Sequence, residues 1–197
     1  MHSIGILLFG DVDLGPVVLH YDAGVGNGRG PEPDPPVKLQ SLNERKSLLL
    51  GTYLLVSGVR FGVAGYLDRF QPKNLNGEWM SEQIGVAHVT YTTAPWEILI
   101  EGALIRHKFG NTDLNNYGYY AQLAYQIAER WKPYARGEVQ HIDPSDPYLT
   151  SSPFLNRAFG GIRFDPVEIV ALKLEGGVNW HSSETAPFIH FQTAFVY

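Results

Sequence analysis

A set of polar side chains, each predicted to lie on one face of a β-strand, contains the residues best placed to act on solutes. The set is Arg60, Glu101, Gln122, Arg136, Glu138, Arg163, Lys173, Glu175, His190 and Gln192. Acids, bases and amides interleave in it, so a water-filled space lined by these groups could select solutes by charge and size. The same groups could instead pair with one another and satisfy buried polar atoms in a narrow interior. The first interpretation predicts pore-lining residues, and the sequence leaves both open.

Neither a metal site nor a catalytic site is predicted. His20 and Asp22 share a strand face at i and i+2 and could bind a metal only with ligands from elsewhere. The histidines show no recurring ligand spacing. Glu97 and Glu101 could be compared with the carboxylate pair of a glycosidase, but the wetting of a polar face explains them more simply. We therefore expect no metal, no cofactor and no enzymatic activity.

Residues 187–197 show most clearly the kind of element that positions these groups. Alternate residues there are apolar or aromatic, apart from one threonine: Ile189, Phe191, Thr193, Phe195 and Tyr197. The residues between them are small or polar. Because side chains of a β-strand point alternately to opposite faces, this pattern predicts a strand with one apolar and one polar face.

The same alternation recurs along the chain and predicts about ten or eleven strands. The predicted strands are 4–9, 17–26, 46–56, 59–70, 81–92, 96–108, 119–128, 131–142, 156–165, 168–179 and 187–197. Short connections are predicted near Ser57, Ala94, Arg130 and Pro166, and long ones near Pro33, Asn74, Asn111, Pro147 and Ser183. Short and long connections alternate, which predicts that the short turns lie together at one end of the strands.

Strand length and tryptophan placement favour a barrel that spans a membrane. Strands of roughly 10–12 residues suit a tilted crossing of the bilayer. Trp79, Trp96, Trp131 and Trp180 fall at strand ends, as in the aromatic girdles of membrane barrels. The sequence thus predicts an all-β, antiparallel up-and-down transmembrane β-barrel, with short periplasmic turns and long extracellular loops. Two alternatives stay open: a small plugged outer-membrane barrel acting as an enzyme or adhesin, and a soluble β-barrel binding an apolar ligand.

Composition narrows the class of protein further. The chain has 197 residues, no cysteine and a formal net charge of −5, which excludes disulfides and argues against nucleic acid as a partner. No run of about 18 apolar residues predicts a transmembrane helix. Residues 1–9 lack the basic start and the cleavage site of a signal peptide. An outer-membrane protein has to be exported, and bacterial single-chain barrels have an even number of strands. The missing signal peptide and an odd count of eleven strands therefore predict one β-barrel domain over 1–197 that is truncated at its N-terminus.

Several stretches resemble porin-like outer-membrane proteins, in particular the phosphate-selective porin group and its uncharacterised relatives. They are residues 19–30 (LHYDAGVGNGRG), 132–138 (KPYARGE), 160–165 (GGIRFD) and 171–175 (ALKLE). The resemblance covers most of the chain, as the C-terminal portion of such a protein. It implies a barrel of about 16 strands in the outer membrane of a Gram-negative bacterium, within the size range of such barrels. It also implies a homotrimer surrounded by lipid and lipopolysaccharide, and passive diffusion of small anions or other polar solutes.

Overall fold

One antiparallel sheet contains every strand of the described residues. The computed structural model describes residues 5–29, 45–149, 154–181 and 184–195. The strands are β1 (Gly5–Asp13), β2 (Val17–Asn27), β3 (Lys46–Val56), β4 (Val59–Phe70), β5 (Met80–Tyr91), β6 (Trp96–Phe109), β7 (Thr112–Tyr125), β8 (Trp131–His141), β9 (Phe154–Val167), β10 (Val170–His181) and β11 (Glu184–Phe195). Each strand pairs with the next along the chain, so the order in the sheet is the order in the sequence. The predicted all-β, antiparallel up-and-down architecture is confirmed.

Helical structure is minor in the described part of the chain. A short 3-10 helix, Lys73–Leu75, lies between β4 and β5. Among the described residues, no helix reaches the length and hydrophobicity that crossing a bilayer requires.

The pairing register sorts side chains by polarity. Ile100 of β6 lies opposite Ala121 of β7, and Leu174 of β10 lies opposite Phe191 of β11. Since directly paired residues point to the same side of a sheet, their apolar side chains share one face. We call this the apolar face and the opposite one the polar face. Apolar-face side chains stay open to the surroundings: Phe191 is 69% exposed and Ile189 is 80% exposed.

Connections differ between the two ends of the strands. At one end, here called the turn end, residues 14–16, 57–58, 92–95, 126–130 and 168–169 join the strands, and all these connections are short. Ser57 and Gly58 both have positive φ, at 49° and 81°, which is the backbone of a type I′ hairpin turn. The other end, here called the loop end, carries the long connections 28–45, 71–79 and 142–153.

Two loop-end connections are shorter than the sequence predicts. The predicted loop near Asn111 is wrong, because β6 ends at Phe109 and β7 begins at Thr112. Asn115 and Asn116 belong to β7, where they pair with Arg106 and Ile105. The long loop predicted near Ser183 is also wrong, because β10 ends at His181 and β11 begins at Glu184; Ser183 itself lies outside the described residues. Strands of this sheet therefore extend beyond their apolar alternation into polar sequence.

The first strand is also longer than predicted. A turn was expected directly after Phe9, but β1 continues to Asp13. Asp11 pairs there with His20 of β2, so polar ends of two neighbouring strands again continue the ladder.

A small hydrophobic core lies on the polar face at the loop end. Its buried members are Phe70, Met80 and Tyr148, and Leu75, Phe109 and Leu149 pack against them. Tyr148 belongs to the connection between β8 and β9, and its ring lies 4.6 Å from that of Phe70, centroid to centroid. This connection therefore folds back over the sheet instead of extending away from it.

Both outer edges of the sheet are free within the described residues. β1 pairs only with β2, and β11 pairs only with β10. β1 and β11 make no contact with each other, so the described strands form an open sheet.

Candidate functional site

The polar face is the concave side of the sheet. Lys132 Nζ of β8 lies 2.9 Å from Glu97 Oε2 of β6, although β7 runs between these strands. The Tyr134 hydroxyl of β8 donates a hydrogen bond to Glu175 of β10, across β9. Neighbouring strands are about 4.8 Å apart, so side chains of next-nearest strands meet most readily where curvature brings them together. The apolar face is then the convex side.

Small residues in the intervening strands permit these long contacts. Gly161 of β9 lies between Tyr134 and Glu175 in the register, and the Tyr134 ring covers it. A Cβ atom at Gly161 would lie 2.7 Å from Cζ of Tyr134. Glycine in a strand often marks such a close approach. The sequence therefore places a glycine where an aromatic side chain has to cross a strand.

A group of polar side chains near the turn end of β6–β10 forms what we call the charged cluster. Its members are Glu97, Gln122, Lys132, Tyr134, Arg136, Arg163, Lys173 and Glu175, and they line a cavity of about 100 Å³. The cluster contains both acids and bases, so the cavity presents both signs of charge to whatever enters it.

Most charges of the cluster are paired. Arg136 Nε lies 2.6 Å from Glu138 Oε1, and Arg163 Nε lies 2.7 Å from Asp165 Oδ1. Lys173 is different, because among the described residues it has no hydrogen bond or ion pair. Arg163 lies directly opposite Lys173 in the register, which makes this the most positive part of the cluster.

All the residues predicted to line a pore lie on the polar face. The charged cluster brings together Gln122, Arg136, Arg163, Lys173 and Glu175, with Glu138 bound to Arg136; His190 and Gln192 of β11 lie opposite Glu175 and Lys173. Arg60 and Glu101 lie outside the cluster. Arg60 packs over the Tyr53 ring at 4.6 Å, and Glu101 lies opposite His88 and Tyr120. Their shared face is observed, whereas their role in lining a pore stays a prediction.

Sequence reasoning missed a second polar group, buried at the loop end. His107 of β6 is completely buried between two carboxylates: its Nδ1 lies 2.6 Å from Asp146 Oδ2 and its Nε2 lies 2.9 Å from Glu82 Oε2. The Asn116 side-chain amide donates to Asp146 Oδ2 at 2.7 Å. Arg29 Nε lies 2.7 Å from Glu82 Oε1. This network connects β5, β6 and β7 with residues of two loop-end connections.

Asp146 is held in its ionised form. Burial by itself would raise the pKa of this carboxyl, but hydrogen bonds from His107, the Leu149 backbone N–H and Asn116 lower its pKa to about 2. Tyr148 behaves in the opposite way, because burial raises the pKa of its hydroxyl. At neutral pH the connection therefore carries a fixed negative charge beside a neutral phenol.

Part of this network had a signal in the sequence. Asp146 is followed by Pro147 and Tyr148, and its Oδ1 accepts the Tyr148 backbone N–H at 2.9 Å, which is a local Asx-type turn. Glu82 and His107 could be assigned to the polar face by alternation. Their contact with Asp146, in contrast, joins positions far apart in the sequence and has no local signature.

The pair of residues considered for metal binding is engaged otherwise. His20 Nδ1 lies 2.8 Å from Asp11 Oδ1, and the His20 ring stacks on Tyr53 with 4.5 Å between centroids. Within the described ranges, no group of three or more His, Asp or Glu side chains is arranged to hold a metal ion.

Comparison with known proteins agrees with the class of fold. No family model matches the sequence, and no curated protein matches it. The outer membrane channel DcaP of Acinetobacter baumannii has a similar structure, with a TM-score of 0.67 and 11% sequence identity over 96% of this chain. The chain spans 61% of the length of DcaP. LpxR from Salmonella typhimurium aligns with a TM-score of 0.36 and 13% identity, over 98% of this chain and 88% of LpxR.

The fold is therefore similar to that of the outer membrane channel DcaP, with the described strands forming an open sheet. At 11% identity, the likeness to DcaP extends to the fold alone.

Proposed function

We propose that this chain forms part of the wall of an outer-membrane channel through which small polar solutes, including anions, diffuse passively. One observation carries the proposal: from β2 to β11, most exposed apolar side chains lie on the convex face and most charged side chains lie on the concave face. A lipid-embedded barrel has this arrangement, with apolar residues toward lipid and polar residues toward the lumen. A soluble barrel buries its apolar face, yet Leu123 and Phe191 are exposed here.

The free edges of the sheet are part of this proposal. Unpaired backbone groups are costly in hydrocarbon, so a sheet in a membrane has to close. We propose that further strands complete the barrel, consistent with the greater length of DcaP. Lipid and lipopolysaccharide would then surround the apolar face, and a homotrimer is the assembly that the porin resemblance implies. In this orientation the turn end faces the periplasm and the loop end faces the exterior.

The charged cluster supports selection by size and charge together. Its ion pairs keep water and fixed charges in a narrow space, and Lys173 with Arg163 adds a positive site. The interleaved signs favour small polar solutes in general, with anions included, over a strict preference for phosphate. No catalytic step belongs to this proposal.

Conductance of the full-length protein in planar lipid bilayers tests the proposed function. We expect discrete, ohmic conductance steps, and liposomes containing the protein should swell in small sugars or amino acids. Absence of both, from protein shown to be folded by heat-modifiable migration, would contradict a channel.

A second candidate function rests on the connection that covers the polar face at the loop end. Because Tyr148 and Leu149 pack on the sheet there, a plugged barrel acting as an enzyme or adhesin is the alternative. Such a barrel would be folded in lipid and show no conductance, so the same bilayer experiment separates the two.

A further inference from the structure

Two described loop-end segments meet on the polar face: residues 28–29, which follow β2, and residues 142–149, which follow β8. We call these two segments the first and the second connection, and the first contributes Arg29. The Arg29 backbone N–H donates to Asp68 Oδ2 at 2.5 Å, and the guanidinium lies against Glu82. Both contacts reach past β3, so Arg29 points inward over the sheet.

The second connection contributes residues 142–149, which follow β8. Asp146 accepts hydrogen bonds from His107 and Asn116, while the Tyr148 ring packs on Phe70. The Tyr148 hydroxyl also interacts with the Arg29 side chain. The two connections are therefore in direct contact with each other.

Glu82 and His107 join the same two connections a second time, through the sheet. Glu82 binds Arg29 with one carboxylate oxygen and His107 with the other, and His107 binds Asp146 with its remaining ring nitrogen. An ionised carboxylate accepts hydrogen bonds but cannot donate them, so both ring nitrogens of His107 act as donors. The other charged or titratable groups at this site are Asp68 and Tyr66, which are bonded to each other.

We propose that Arg29, Glu82, His107 and Asp146 lock residues 28–29 and residues 142–149 into one cap over the loop end of β4–β7, so that releasing either segment releases both. The physical reason is that Glu82, His107 and Asp146 are buried and that each lies in an ion pair with the next, while Arg29 pairs with Glu82 at the margin of the network. Removing one leaves the next without its partner, which is far more costly than losing an exposed ion pair. That the cap narrows the entrance of a channel rests on the proposed function; the coupling itself does not.

Distance measurements in the folded protein test the coupling directly. The chain has no native cysteine, so spin labels can be placed at S145C, on the second connection, and at E129C, on the opposite end of β7 and β8. Both positions are exposed. The full-length protein in lipid vesicles should give a single distance between these labels by double electron–electron resonance.

The decisive variants are R29Q and E82Q, because neither residue belongs to the connection that carries the label. We expect each to add a longer distance, with the ratio of released to seated connection rising at least roughly tenfold, as for the loss of a buried partner. D146N should release the same connection, and R29Q/D146N should add little to either single change, since coupled sites are not additive.

Matched controls are R106Q and D113N, which break an exposed pair between β6 and β7 at the same end. These variants should leave the distance between the labels unchanged.

Independent connections would give a different result: D146N would release the label, while R29Q and E82Q would leave it seated. That result overturns the proposal. If R29Q/D146N does not fold, the single variant R29Q decides the matter, because Glu82 also binds His107 directly. Bilayer conductance of the same variants separates the coupling of the two connections from the proposed channel function. A shift in distance without conductance in any variant supports the coupling and refutes the channel. Conductance with unchanged distances refutes the coupling and supports the channel.

Discussion

Lys132 Nζ lies 2.9 Å from Glu97 Oε2 across the intervening strand β7, in which Ala124 lies directly opposite Glu97. Ala124 is buried, and its small side chain lets the charges from β6 and β8 touch. The charged cluster thus includes contacts that cross an intervening strand, and the geometry of those contacts depends on where small residues lie in the sheet.

Charge reversal at Lys173 tests whether the charged cluster selects ions. K173E places an acid opposite Arg163 on the polar face and should shift selectivity toward cations. Two unit charges 4 Å apart in water interact by about 1 kcal/mol, so we expect the ratio of anion to cation permeability to fall roughly fivefold. The reversal potential in a salt gradient measures this. K108E makes the same change on the other face at the loop end, opposite Asp113, and should have little effect; equal shifts in both variants would remove the charged cluster from the selectivity mechanism.

Adjacent aliphatic residues on β6 test which face meets lipid. Ile100 lies on the apolar face and is 48% exposed, whereas Leu99 points to the polar face. I100K should lower the free energy of unfolding from lipid vesicles by roughly 2–4 kcal/mol, as for a lysine near the middle of a membrane barrel wall. L99K should cost much less, because its charge can reach water. The two free energies come from denaturant titrations followed by tryptophan fluorescence, and a larger loss for L99K would mean that the faces are assigned the wrong way round.

A methyl group at Gly161 should disturb the contact between Tyr134 and Glu175. In G161A the new Cβ would meet the Tyr134 ring and the Leu174 carbonyl oxygen, so we expect a loss of about 1–3 kcal/mol in the free energy of unfolding, typical of overpacking. Gly137 has open space where a Cβ would lie, which makes G137A the matched control. If G161A is as stable as G137A, the tyrosine ring does not need the glycine beneath it.

The connection between β8 and β9 should stay seated over a wide range of pH. The pKa of Asp146 is lowered to about 2 in the folded protein, and a lowered carboxyl pKa stabilises the folded state above the unfolded value. This stabilisation, about 2 kcal/mol, is present above about pH 4 and is lost as the pH falls from about 4 to 2. A spin label at S145C should therefore report one seated state from pH 8 to about pH 4 and a released state below. D146N should remove this acid transition, and its persistence in that variant would assign the transition to another group.

Alternation alone was sufficient for much of the fold. The predicted bounds of β3 and β4, 46–56 and 59–70, agree with the structure because a serine–glycine turn separates two strand-like stretches and β4 alternates in polarity. Alternation failed at the start of β7, where polar Asn115 and Asn116 continue the strand. Those residues are paired with the equally long strand β6, and the length of a partner strand is not encoded locally.

The candidate site was likewise predictable from the sequence only in part. The face of each charged residue followed from its position in a strand, and Arg136 and Lys173 lie where the pattern puts them. Contacts between strands did not follow, because they depend on curvature and on small residues such as Ala124 and Gly161. The link from Asp146 to His107 depends on how a long connection folds back, which alternation cannot show.

Under the proposed function, the free edges of β1 and β11 bear on how this protein would enter a membrane. Each edge carries backbone N–H and C=O groups without partners among the described strands, and water satisfies them only while the sheet stays outside hydrocarbon. Insertion ahead of edge pairing would expose these groups to lipid, and edge pairing between separate molecules ahead of insertion would give aggregates. We therefore expect membrane insertion and closure of the barrel to proceed as one concerted step. In that step the backbone groups of the free edges form new hydrogen bonds as they lose their contacts with water.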